Sequence, residues 1–272
     1  MGEARTGEIE LKRVVYGPVP SWRLGRSLGI DLISGPKTCS FDCIYCQLGP
    51  TRRRVTSREE FVPTSRVLCE LEALPALQVD FVTFSGMGEP TLAANLGEAI
   101  VRVKSRLPCP VAVLTNSSLL ADLGVRAELC PADLVVAKMD APDEDIFREI
   151  NRPARSIGFR SVLAGLRQFR EDYQGHLAIQ VMFCRENRNC TAQILEIIRG
   201  LSPDEVQLNT PLRPSATAPL SPEDMRQMGE AFAGLPVVSV YEATKVTVHA
   251  LDAAETAARR PQASVRFAND PV

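Results

Sequence analysis

Histidine is almost absent from this chain. His176 and His249 are the two in 272 residues, far apart and without ligand spacing. That leaves little for a histidine-rich metal site. Lysine is scarce too, with five among 31 basic residues, so a lysine inside an apolar strand stands out. No apolar run approaches the ~18 residues of a membrane span. The opening stretch, MGEARTGEIELKRVVYG, has no apolar core of a secretory signal. Met1-Gly2 with Thr6 matches the short myristoylation pattern, but no second membrane signal accompanies it, so a cytoplasmic protein with no membrane partner is expected. The net charge of -2 announces no nucleic-acid partner by bulk charge.

Cysteine is not scarce: there are eight. In a cytoplasmic chain these are metal ligands or plain buried thiols rather than disulfides. Hydrophobic residues at 45% and charged residues at 24% describe an ordinary globular chain of one large or two small domains.

Short β-rich apolar runs at 28–33, 79–84, 111–114, 134–139, 177–183 and 206–208 alternate with helical patterns at 64–74, 95–106, 119–129, 156–173 and 191–199. A further helix is expected over 222–233, with Ser221 as N-cap and Pro222 at the first position. Thr64 and Thr191 are N-cap candidates as well. This alternation predicts an α/β fold with a parallel sheet. Six units are too few for a closed barrel, so a partial, TIM-like (β/α)6 barrel or a doubly wound sheet is expected over 27–210. Residues 1–26 form an N-terminal extension, and 211–272 a short C-terminal extension covering the barrel. Ligands then gather at the C-terminal ends of the strands. The long loop after the first strand is a functional candidate, and the tail after Ala250 should be frayed or a short helix.

That loop carries Cys39-Ser-Phe-Asp-Cys43-Ile-Tyr-Cys46, a C-x3-C-x2-C motif. Thiolates are soft ligands suited to iron–sulfur clusters. Three ligands leave one iron of a cubane open. The alternative is structural zinc, which wants four ligands in paired knuckles, and no second C-x2-C pair is present.

The motif resembles the signature of the radical-SAM superfamily. Ser85-Gly86-Met87-Gly88-Glu89-Pro90, after the second strand, is similar to that family's Gly-Gly-Glu-Pro-type motif. The resemblance implies that Cys39, Cys43 and Cys46 bind a [4Fe–4S] cluster whose open iron chelates S-adenosylmethionine (SAM). It implies that Tyr45 lies against adenine and that Gly86 and Gly88 let the backbone approach the methionine part. Glu89, or a carbonyl beside it, would orient the amino group, and Asn116 would contact ribose or carboxylate, although an Asn-Ser-Ser run is equally a helix cap. Reductive cleavage would give methionine and a 5′-deoxyadenosyl radical that abstracts hydrogen from a small-molecule or peptide substrate. The electron would come from an external donor of flavodoxin or ferredoxin type.

Residues 16–31 (YGPVPSWRLGRSLGID), Lys138-Met-Asp140, Asn151-Arg152-Pro153 and residues 208–214 resemble a narrower group, stand-alone proteins grouped with wyosine-type tRNA-modifying enzymes. tRNA is thus a second possible substrate, and a non-catalytic iron–sulfur protein a third reading. The chain departs from the tRNA enzyme in showing no N-terminal cysteine set and no flavodoxin-like domain. Lys138 and Asp140 are the catalytic candidates: Lys138 as substrate anchor or Schiff-base amine, or simply paired with Asp140. Arg152 and Arg213 are candidates for an anionic substrate or the SAM carboxylate. Arg52-Arg53-Arg54 reads as a solvated face or a phosphate patch, and Cys184 and Cys190 as plain thiols.

Overall fold

A hairpin opens the fold in the computed structural model, which describes residues 13–244 and 246–261. β1 (Val15–Ser21) runs antiparallel to β2 (Gly25–Ile30). The loop that follows holds two short paired strands, β3 (Thr38–Cys39) and β4 (Arg53–Arg54). Then come α1 (Thr64–Glu72), β5 (Phe81–Phe84), α2 (Leu96–Lys104), β6 (Val111–Thr115), α3 (Leu123–Leu129) and β7 (Leu134–Lys138). After β7 lie α4 (Glu144–Ile150), α5 (Phe159–Asp172), β8 (His176–Met182), α6 (Thr191–Leu201), β9 (Glu205–Asn209), α7 (Pro222–Ala231), β10 (Val237–Ser239) and α8 (Ala253–Arg259).

The main sheet has the order β1-β2-β5-β6-β7-β8-β9-β10, and every pair from β2 onward is parallel. It curls into a half-barrel, the partial TIM-like fold expected. Side chains alternate across it with period two. Val135, Ala137, Ile179, Val181, Val206 and Leu208 join the core with the helices. On the other face stand Leu134, Val136 and Ala178, in a small cluster of their own. A fully buried Leu96 or Ile100 on α2 contributes about 1.5–3 kcal/mol relative to exposure.

All six expected strands are present, flanked by two more. β1 and β10 lie in the segments assigned to the two extensions. α4 was not expected; Asp143 caps it through Ile146 N (3.0 Å). Ser221 caps α7 as expected, but Thr64 and Thr191 do not cap. Each is the first helical residue, behind Pro63 and Cys190. The Thr64 hydroxyl instead accepts from Asn95 Nδ2 (3.0 Å), and Thr191 Oγ1 donates to the Arg188 carbonyl (3.0 Å). The tail forms α8, whose Arg259 pairs with Asp31 at the end of β2 and with Glu255.

Candidate active site

The inner face of the half-barrel turns polar toward the strand C-termini. Ser85, Asn116, Lys138, Met182 and Asn209 line a cavity of about 310 Å³ there, together with the three loop cysteines. An adjoining, mostly apolar cavity of about 410 Å³ shares Trp22, Tyr45, Met182 and Arg213 with it.

Backbone pairing holds the cysteine loop on two sides. Thr38 N donates to the Met87 carbonyl (3.0 Å), and Glu89 N donates to the Thr38 carbonyl (3.3 Å). On the other side Ile44 N donates to the Ile150 carbonyl (2.9 Å) and Ala154 N to the Ser40 carbonyl (2.8 Å). The segment after β9 also reaches the loop, where Ala216 N donates to the Ile44 carbonyl (3.0 Å). Cys39, Cys43 and Cys46 are free, half-buried thiols.

Three N–H groups aim at their sulfurs. Phe41 N and Asn116 Nδ2 each lie 3.5 Å from Cys39 Sγ, and Asn151 Nδ2 lies 3.6 Å from Cys43 Sγ. Burial, reinforced by neighbouring acids and thiols, pushes both thiols up, that of Cys43 to about 12. They therefore ionise only against a cationic group, which is what a bound metal centre supplies. Among the described residues no group of three or more His, Cys, Asp or Glu is arranged to hold a single metal ion. Three soft thiols, sulfur-directed N–H donors and no fourth side-chain ligand fit a cluster with one open position.

Glu89 is buried, and its carboxylate is saturated by the protein. Oε1 accepts from Thr91 N (3.1 Å), Thr91 Oγ1 (2.7 Å) and Thr115 Oγ1 (2.7 Å), and Oε2 accepts from Asn116 N (2.7 Å). It ties the turn to the end of β6. A Cβ on Gly86 would stand 2.2 Å from Asp31 Cγ, and one on Gly88 would stand 1.7 Å from the Thr38 carbonyl oxygen. Both glycines thus admit protein as well as lining the cavity. Asn116 caps no helix: α3 starts behind Asp122, and Asn116 Nδ2 donates to Ser40 Oγ (2.9 Å) beside Cys39.

Lys138, Asp140 and Tyr45 come together as one network. Asp140, wholly buried, accepts from Tyr45 OH, from Asn151 Nδ2 (2.9 Å) and from Met182 N (2.8 Å), and pairs with Lys138 Nζ (3.1 Å). Lys138 Nζ also donates to Gln180 Oε1 (3.3 Å) and lies 4.8 Å from the Tyr45 ring centroid, a cation–π distance. Arg213 lines both cavities. Arg152 is exposed and lines neither cavity. Arg53 and Arg54 pair with Glu59 and Asp42 on the exterior. Cys184 is buried in a small apolar cluster. Gln180, Arg23 and Arg260 line the cavity without having been expected. Gln180 had a signal, a polar residue inside the run Leu177–Val181, of the kind that picks out Lys138.

No described helix is long and apolar enough to cross a membrane. The Radical SAM superfamily model matches residues 33–198. A UPF0026 protein of Synechocystis is 44% identical over 201 residues, spanning 74% of this chain and 76% of that protein. Among solved structures, native anSMEcpe with bound AdoMet superposes with a TM-score of 0.58 at 19% identity, covering 79% of this chain and 64% of that one. The chain thus spans just under two thirds of that structure's length. Archaeal TYW1 superposes with a TM-score of 0.54 at 14% identity, covering 78% and 72%. These two likenesses are of fold. The match over residues 33–198 and the identity to the UPF0026 protein place the chain in the radical SAM superfamily, to which it belongs.

Proposed function

We propose that this chain is a radical SAM enzyme in which Cys39, Cys43 and Cys46 hold a [4Fe–4S] cluster, with SAM bound at the open iron. The observation that carries this reading is the placement of three free thiols, two with N–H donors, in the wall of one cavity. When bound, the cluster and SAM supply a 5′-deoxyadenosyl radical for hydrogen abstraction. Asn116 and Asn151 fix the sulfurs of Cys39 and Cys43 and disperse their charge. Glu89, spent on Thr91, Thr115 and Asn116, holds the Gly86–Gly88 turn so that its backbone, not the carboxylate, faces SAM. Tyr45 and Asp140 position Lys138, and the ion-paired ammonium is an anchor for a substrate rather than a nucleophile. A cavity of this size suits a small molecule or a short peptide segment.

The test is anaerobic reconstitution with iron and sulfide, then reduction by a flavodoxin-type donor or dithionite with SAM present. The expected products are 5′-deoxyadenosine and methionine, lost on Cys43→Ala. A fully loaded cluster that never cleaves SAM overturns the reading.

A further inference from the structure

Three arginines from distant segments meet in the two cavities. Arg23 comes from the β1–β2 turn, Arg213 from the chain after β9, and Arg260 from the end of α8. Among the described residues none has a carboxylate within ion-pairing distance, whereas more than half of the other described arginines do. Arg23 Nε and Arg213 Nε are out of reach of solvent and have no hydrogen-bond partner. Arg260 Nη2 donates to the Pro20 carbonyl (3.0 Å) and is otherwise uncommitted. Glu205 offsets part of the charge at Arg23 without forming an ion pair with it, and its Oε1 accepts from Gln207 Nε2 (2.7 Å).

Such an arrangement is costly without a counter-charge. Burial, with the neighbouring arginines adding to it, lowers Arg23 to about 10 and Arg260 to about 9. Burial lowers Arg213 as well. A protein that keeps three guanidiniums together, two with a donor aimed at nothing, has left a place for an anion.

The chain around Arg213 and Arg260 touches the cysteine loop, where Ala216 N donates to the Ile44 carbonyl (3.0 Å) and Gln47 Nε2 to the Arg259 carbonyl (2.9 Å), and Arg23 stands further back. Arg23 precedes β2 and the cysteine loop follows it, so six residues of strand, roughly 20 Å at ~3.3 Å each, separate the two backbones. Three separate guanidinium forks exceed what one planar, singly charged carboxylate can take up. A tetrahedral dianion offers three terminal oxygens.

On the reading of the cavity given above, we infer that the substrate carries a phosphoryl group, seated on Arg23, Arg213 and Arg260. The group anchors the substrate. The rest extends toward Lys138 or into the apolar cavity beside Trp22 and Met182.

Calorimetric titration of the full chain with inorganic phosphate tests this, with and without the reconstituted cluster. Saturable phosphate binding is expected in both forms, with sulfate equivalent and acetate at least about tenfold weaker. Arg23→Gln and Arg213→Gln should each weaken phosphate by about tenfold or more. Arg167→Gln, on the exposed side of α5, should not. SAM should bind alongside phosphate. Absence of saturable binding, equal affinity for acetate, or displacement of SAM by phosphate each overturns the assignment. Should a variant fail to fold, the wild-type titrations alone decide. Phosphate binding without SAM cleavage overturns the radical SAM reading and leaves the anion site standing; cleavage without phosphate binding does the reverse.

Discussion

Gly88 packs against Thr38 so closely that a methyl on its Cα would stand 1.7 Å from the Thr38 carbonyl oxygen. The obstacle is backbone, and the next residue is Cys39. Gly88→Ala must therefore push β3 away and move that cysteine with it. We expect a destabilisation of about 1–3 kcal/mol or more and a reconstituted protein with clearly less cluster iron. Iron analysis beside urea unfolding checks both; full cluster loading in a destabilised protein would show that the contact serves the fold alone.

Arg259 Nε lies 2.8 Å from Asp31 Oδ2, and the two side chains are 0% and 1% exposed. Asp31 Oδ1 in turn accepts from Ile33 N and Ser34 N, both at 3.0 Å, at the start of the cysteine loop. Removing the cation leaves a buried carboxylate unpaired. Arg259→Ala should cost about 3–5 kcal/mol, measured by denaturant unfolding. The double variant with Asp31→Asn should cost less than the sum of the single changes.

Lys138→Met removes the cation from a wholly buried Asp140. Product formation should fall at least about tenfold, since a charge-assisted contact to substrate is worth about 1.5–3 kcal/mol. Incubation of the wild type with pyruvate and borohydride should give no covalent adduct on Lys138 by peptide mass analysis. An adduct would replace the anchor with covalent chemistry.

Asp204 gives the fold an acid-sensitive tie. Burial raises its pKa, but Leu177 N (2.8 Å) and Arg170 Nη1 (2.9 Å) outweigh that and hold the carboxyl below its usual value. A depressed native pKa stabilises the fold above the unfolded value, about 3.9, and that contribution disappears as pH falls through the native value. Melting temperature followed from pH 7 to pH 3 should fall less steeply below pH 4 in Asp204→Asn than in the wild type. Parallel curves would remove Asp204 from the explanation.

Much of the fold was legible because the parallel strands are continuous apolar runs, as in Leu134-Val-Val-Ala. β1 was not, since Gly17, Pro18 and Pro20 interrupt it. Prolines are tolerated there because the strand is at the sheet edge, where a missing N–H is not needed. β10, three residues long, also lies at an edge, and α4 buries only Phe147 and Ile150, so neither has enough pattern to register. The cysteine motif was readable because its ligands are neighbours in sequence. Arg23, Arg213 and Arg260 were not readable as a group, because only the fold unites them. Glu89 and Asn116 were seen as polar residues near the site, but not as spent on one another.

The Asp31–Arg259 pair also has a direction in time. A ribosome delivers Asp31, Cys39, Cys43 and Cys46 early, and 228 positions separate Asp31 from its partner. Until α8 emerges, the carboxylate at the root of the cysteine loop lacks its guanidinium. A cysteine loop rooted as it is in the folded chain is thus available to iron only once α8 has been made.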